Sequence, residues 1–256
     1  MKALRRLSPD AARRCPHCFS PLPPRARRCP ACGRAPLPAE DGGALLPPGR
    51  LLRGRYLPGM ALPAGADGDA YACAGFDAAA GARVRLAARA LPDAARQACL
   101  QRAASLRALS ACSAIVVPFD AFEADGLFVS VTAPPLYALP DGPRPDGAAL
   151  LLALRRVCDA LLVLHSLGDA AAHGAVSAGA VWYFSPGDAD AAALPCLYVP
   201  PVPPACGAAD DLCAFGAALL PLLPPDAPHA LCAILTRMRA GGYASALEIR
   251  HELNCL

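Results

Sequence analysis

Two residue types are almost missing: Lys2 is the only lysine in 256 residues and Asn254 the only asparagine. Past its first residues the chain therefore has no ammonium to set on a phosphate, and it has no carboxamide from asparagine to offer a magnesium ion until its last turn. Alanine, arginine, proline and glycine are abundant instead, a skew that reads as a GC-rich genome as much as selection on the protein. Long apolar runs are also lacking. The richest stretch, Ala214 to Leu223, is broken by Pro221 and falls short of the ~18 residues of a membrane span. Met1 to Asp10 lacks the apolar core of a secretory signal. With 55% hydrophobic and 18% charged residues, the composition is that of a folded body, long enough for one sizeable core and a small satellite module.

The net charge of +3 is unevenly spread. Residues 1–34 hold nine basic side chains against Asp10 alone, which is +8 and leaves −5 for the remainder. A basic head of this kind steers toward phosphate or acidic partners, and it opens a nucleic-acid reading through the N-terminus. Of thirteen cysteines, four form two CxxC pairs and nine are scattered singly. Single cysteines in apolar settings read as buried thiols in a reducing compartment, so a cytoplasmic location is expected.

The chain divides by composition into a basic tail (1–14), a cysteine-bearing unit (15–34), a proline- and glycine-rich linker (35–50) and a body (51–256). Strands are expected at Tyr56 to Leu62, Asp69 to Phe76, Ala82 to Ala88, Ile115 to Phe122 and Leu127 to Val131, the last two joined by the turn Glu123-Ala124-Asp125-Gly126. One helix, capped by Asp93, interrupts them. After Pro145 the pattern becomes helical. Asp146 caps a long amphipathic helix to about Ser166, and further helices start at Asp210 or Asp211, at Ala227 and at Ser245. A strand-rich half (about 51–132) before a helix-rich half (about 146–256) predicts an α+β body of two lobes.

Cys15-Pro16-His17-Cys18 and Cys29-Pro30-Ala31-Cys32-Gly33 form two knuckles separated by ten residues. Four thiolates so spaced suit tetrahedral zinc, and with Cys15, Cys18, Cys29 and Cys32 filling every ligand position the site is closed and structural. Disulfides or a redox CxxC are the competing readings, but the redox one wants a βαβ setting that this arginine- and proline-rich segment lacks. So short a segment cannot bury a core, and metal binding must supply much of its folding free energy.

From Leu51 onward the order of features resembles the protein kinase family, particularly bacterial serine/threonine kinases whose chains include a zinc ribbon. Leu51 to Tyr56 is similar to the opening strand, Gly65-Ala66-Asp67-Gly68 to a remnant of the glycine-rich loop, Leu161 to Val181 to the end of helix E and the catalytic loop around His173, and Asp211 to Gly216 to the start of helix F. The resemblance implies a shortened two-lobed kinase-like fold behind a zinc ribbon. It equally implies loss of the chemistry. Phosphoryl transfer needs a lysine on the phosphates, a base for the hydroxyl, and Asn and Asp ligands for magnesium. Ala87 stands at the lysine position, Ala175 at the catalytic aspartate and Ala180 at the asparagine, the metal-binding aspartate falls near Ala192 or Ala193, and no acid occurs from Ala94 to Phe119 for the helix C glutamate. The family's ion pair behind the activation segment falls on Val202 and Gly242. His173 matches a packing histidine and Asp211 the aspartate that anchors the catalytic-loop backbone; read without the family, they are a core histidine and a helix cap.

The function expected is a catalytically inactive pseudokinase, a scaffold or regulatory module that binds a protein partner, with structural zinc and neither ATP nor magnesium as working cofactors. A nucleic-acid adaptor acting through the basic ribbon is one alternative, and a divergent kinase using Asp188, Asp190 or arginines in new roles is another.

Overall fold

The computed structural model describes residues 13–36, 45–63, 71–168, 172–174, 176–185, 192–204 and 206–256. They form a mixed α+β protein with two sheets, five α-helices and a four-cysteine cluster near the N-terminus. The chain divides into two compact units. One comprises Met1–Ala64, Asp69–Arg96 and Asp120–Pro134, and the other chiefly Gln97–Phe119 and Pro135–Leu256.

The first unit is built on a five-stranded antiparallel sheet of β1 (Tyr56–Ala61), β2 (Tyr71–Asp77), β3 (Ala82–Ala90), β5 (Asp120–Ala124) and β6 (Leu127–Thr132), in the order β1-β2-β3-β6-β5. Alternation sorts the strands into two faces. Tyr56, Cys73, Val84, Leu86, Ala88, Phe122, Val129 and Val131 make one packed face, to which Leu46 and Leu52 add their side chains. Leu46 is buried, so the end of the proline-rich segment belongs to the packed unit. The hairpin between β5 and β6 closes through Asp125-Gly126, both at positive φ, the turn such a short connection favours. Asp77 fixes the β2–β3 corner: its carboxylate takes the amides of Ala79 and Ala80 and a forked pair from Arg55. Burial pushes its pKa up, but the Arg55 guanidinium and the two amides outweigh burial and the net shift is downward.

The second unit carries a small sheet, β4 (Ile115–Val116), β9 (Leu194–Tyr198), β8 (Val181–Phe184) and β7 (Tyr137–Ala138) in that order, beside the helices α2 (Gly147–His165), α3 (Ala208–Leu219), α4 (His229–Arg239) and α5 (Ala246–Leu253). Asp146 caps α2 as expected, accepting the Ala149 amide at 2.8 Å. The inner face of α2, including Leu150, Leu154, Val157, Leu161 and Leu164, is fully buried in the main core with Phe215, Leu235 and Ile249. Trp182 is core too, stacked on Tyr198 at 4.0 Å with its indole N–H on the Gly179 carbonyl.

Three local expectations need correction. The strand foreseen from Ile115 to Phe122 is two strands in two different sheets, because Pro118 cannot donate to a ladder. Asp93 is not a cap but the first residue of α1 (Asp93–Leu106), paired with Arg96, while the Pro92 carbonyl receives the Arg96 amide. Helix α3 starts at Ala208, with the Asp210 carboxylate accepting the Gly207 amide, so Asp211 is free for another task.

Candidate functional site

The two CxxC turns are built alike. In each, the fourth residue past the first cysteine returns its amide to that cysteine's carbonyl at 2.8 Å (Phe19 to Cys15, Gly33 to Cys29). Both of those residues have positive φ, 60° for Phe19 and 70° for Gly33. The cysteine amides in turn donate to Ser20 and Arg34 carbonyls one residue further on. This repeated loop aims the four sulfurs at one point. Cys15 Sγ lies 3.7 Å from Cys32 Sγ and Cys18 Sγ 3.6 Å from Cys29 Sγ, with all four within 4.8 Å of one another. Disulfides need about 2.05 Å, whereas zinc–sulfur bonds of about 2.3 Å at tetrahedral angles put sulfurs about 3.8 Å apart. The donor set and its spacing fit a soft tetrahedral cation such as zinc. Burial pushes the Cys15 thiol up to about 12, while Cys18 is drawn down to about 6, chiefly by hydrogen bonding with Ser20. A dication among the sulfurs favours the thiolate form of all four. His17 is no ligand; it lies beside the Arg34 guanidinium at 3.5 Å.

The cysteine module is docked on the sheet of its own unit. Phe19, 5% exposed, stacks on Phe76 of β2 at 5.8 Å and shares a small cluster with Leu57 of β1. The β1 backbone joins in, with Met60 N–H donating to the Pro16 carbonyl at 3.1 Å. Gly59 permits this approach: a Cβ there would lie 2.5 Å from the Pro16 carbonyl oxygen. Arg14 and Arg83 tie the edges, donating to the carbonyls of Phe19 and Cys18. A left-handed phenylalanine costs roughly 1–2 kcal/mol, which burial of its ring offsets. Sequence reasoning missed Phe19 as an anchor, although its place after the first CxxC, matching Gly33 after the second, was the available signal.

A second constellation lies in the helical unit. The Asp211 carboxylate is wholly buried. It accepts the amides of His173 at 2.7 Å and Gly174 at 2.8 Å, and the Nε2–H of His165, at the end of α2, at 3.0 Å. The buried His173 ring donates from Nε2 to the Tyr198 carbonyl at 2.7 Å, tying the loop to the end of β9. Burial lowers its pKa and keeps it neutral, with the Nε2 proton fixed by that carbonyl. Arg102 of α1 adds a third tie, donating to the carbonyls of Ala172 at 2.7 Å and Pro200 at 3.4 Å. Asp211 is thus no helix cap: it is the internal acceptor of a loop whose amides have no ladder to join.

Among the positions singled out in the sequence, Cys15, Cys18, Cys29 and Cys32 come together, as do His173 and Asp211. Ala87 is 3% exposed on β3, on the face that carries Arg85 and Arg89. Ala180 is 2% exposed in a short 3-10 turn before β8. Ala192 and Ala193 directly precede β9. Gly65, Gly68, Ala175, Asp188 and Asp190 lie outside the described residues, as do most of the basic tail and the centre of the linker. His165 and Arg102 were missed as polar partners: the first looked like one more residue of an apolar helix face, and the second carries no local signal. No protein-family model matches the chain, and no curated protein matches it either.

Proposed function

We propose that the chain is a catalytically inactive protein-kinase-like module, preceded by a structural zinc ribbon, that serves as a binding scaffold. The observation that carries this reading is the Asp211 anchor. A buried carboxylate on one helix gathers the amides of His173 and Gly174, and the His173 ring is locked on the strand that follows. In the resembled family that framework holds a catalytic loop. Here it holds a loop with alanine at the catalytic positions, and the lysine position on β3 is alanine as well. Keeping the costly buried framework while losing the charges that bind phosphate and magnesium favours a retained shape over a retained reaction. The test is phosphate transfer: this reading predicts that the zinc-loaded protein incubated with labelled ATP and magnesium will transfer none to itself or to generic protein substrates. Transfer that is lost on substituting Arg85 or Arg89 would instead establish the divergent kinase, with an arginine in place of the lysine.

A nucleic-acid adaptor is the second reading, favoured by six arginines and no carboxylate within residues 13–34. It predicts oligonucleotide binding that weakens steeply with salt. Absence of binding at low salt removes it.

A further inference from the structure

The cysteine module holds a cationic cleft that no carboxylate among the described residues neutralises. Three other arginines of the same unit meet carboxylates: Arg50 pairs with Asp125, Arg55 with Asp77 and Arg96 with Glu123. Among the described residues, none of Arg13, Arg14, Arg25, Arg27, Arg28 and Arg34 does. Arg13 and Arg14 line a cleft of about 200 Å³ whose other walls include Leu22, Pro23, Ala26 and Pro48. Arg14 is fixed in place. Its Nη1 donates to the Phe19 carbonyl, its guanidinium lies 4.3 Å from the centre of the Phe76 ring, and its Nε is buried without a hydrogen-bond partner. Holding a half-buried cation with no counter-charge among the described residues costs free energy, which an anion arriving in the cleft offsets.

Size and lining select the anion. Drug-sized ligands fill roughly 300–1,000 Å³, so this cleft takes one or two side chains and not a nucleotide. Its walls are aliphatic and proline surfaces, and Phe19, the aromatic residue of the module, is buried against Phe76, so no ring is presented for a base to stack on. From these features we infer that the cleft is a docking site for an extended acidic segment of a partner protein, seating an aliphatic side chain among the prolines and the adjacent carboxylate on Arg13 and Arg14. This deepens the scaffold reading by naming the chemistry of what is recruited, and it rests on that reading only for the premise that a protein is recruited.

The test is fluorescence anisotropy of the zinc-loaded full chain with three probes: a labelled peptide of alternating leucine and glutamate, the same peptide with glutamine for glutamate, and a labelled oligothymidylate. The acidic peptide binds, and its glutamine counterpart binds at least about tenfold more weakly. Arg13→Glu and Ala26→Glu each weaken the acidic peptide by about tenfold or more, while Arg27→Glu, an equal change in charge outside the cleft, costs under about threefold. Zinc content measured on every variant separates a collapsed module from a closed cleft, and the nucleotide experiments that test the scaffold reading do not depend on either. The inference is overturned by a zinc-loaded wild-type chain that ignores the acidic peptide, by preference for oligothymidylate, or by Arg27→Glu proving as damaging as Arg13→Glu.

Discussion

At the scale of single residues, Asp211 decides more than any other side chain. Its carboxylate satisfies two amides and one imidazole N–H in a place water does not reach. Asp211→Ala strands all three donors, and each buried unsatisfied donor costs about 1–3 kcal/mol. A loss of about 3–5 kcal/mol of unfolding free energy is therefore expected in urea titration, with Asp211→Asn milder because one carbonyl oxygen remains. His173 supplies a pH signature. Its pKa is lowered from the ordinary 6.5 by burial, so the unfolded chain binds a proton that the folded chain resists. Its contribution is complete above about pH 6.5 and is lost as pH falls below that value. Urea midpoints at about pH 7.5 and about pH 5.5 should show a wild-type decline larger than that of His173→Gln, and equal declines would contradict the assignment. His173 was readable as a core residue and the kinase resemblance set Asp211 against the loop backbone, but the local pattern around Asp211 was not enough. Asp211 follows another acid at a helix start, where a cap is the natural reading, and only the tertiary fold turns it inward.

At the scale of elements, the docking of the cysteine module on β1 and β2 makes the sharpest prediction. Phe19→Ala removes the buried ring that joins the module to Phe76 and Leu57. Large-to-small changes of this kind cost about 3–5 kcal/mol, and here the loss falls on the attachment rather than on the helical unit. Trypsin should cut the arginine-rich segment faster in Phe19→Ala, and in Gly59→Val, whose side chain meets the Pro16 carbonyl, while α2 to α5 stay protected. Elements with strong local signals were readable: the Asp146 cap of α2, the Asp125-Gly126 hairpin, the paired CxxC knuckles. Elements decided by partners were not. Pro118 divides an apparently continuous strand between two sheets, and the choice of sheet for each half depends on β6 and β9, far away in sequence.

At the scale of the whole molecule, the four-cysteine cluster and the loop anchor serve different ends. On the proposed zinc reading the metal stabilises a module too small for its own core, so a strong chelator should expose residues 13–34 to trypsin and release one zinc per chain, and Cys29→Ser should expose the same segment without chelator. The larger body has its own packed core of Leu150, Leu154, Leu161, Phe215 and Leu235, so chelation should leave it folded. The central claim is that this body keeps a kinase-like frame without kinase chemistry. A thermal-shift titration of the zinc-loaded chain with ATP and ADP, each with and without magnesium, tests it most directly. A ligand at about a hundred times its Kd adds about 2.7 kcal/mol, a shift of several degrees for a protein of this size. No magnesium-dependent shift with either nucleotide is the expected result. A shift of several degrees that appears only with magnesium would contradict the claim and place a working nucleotide site in this chain.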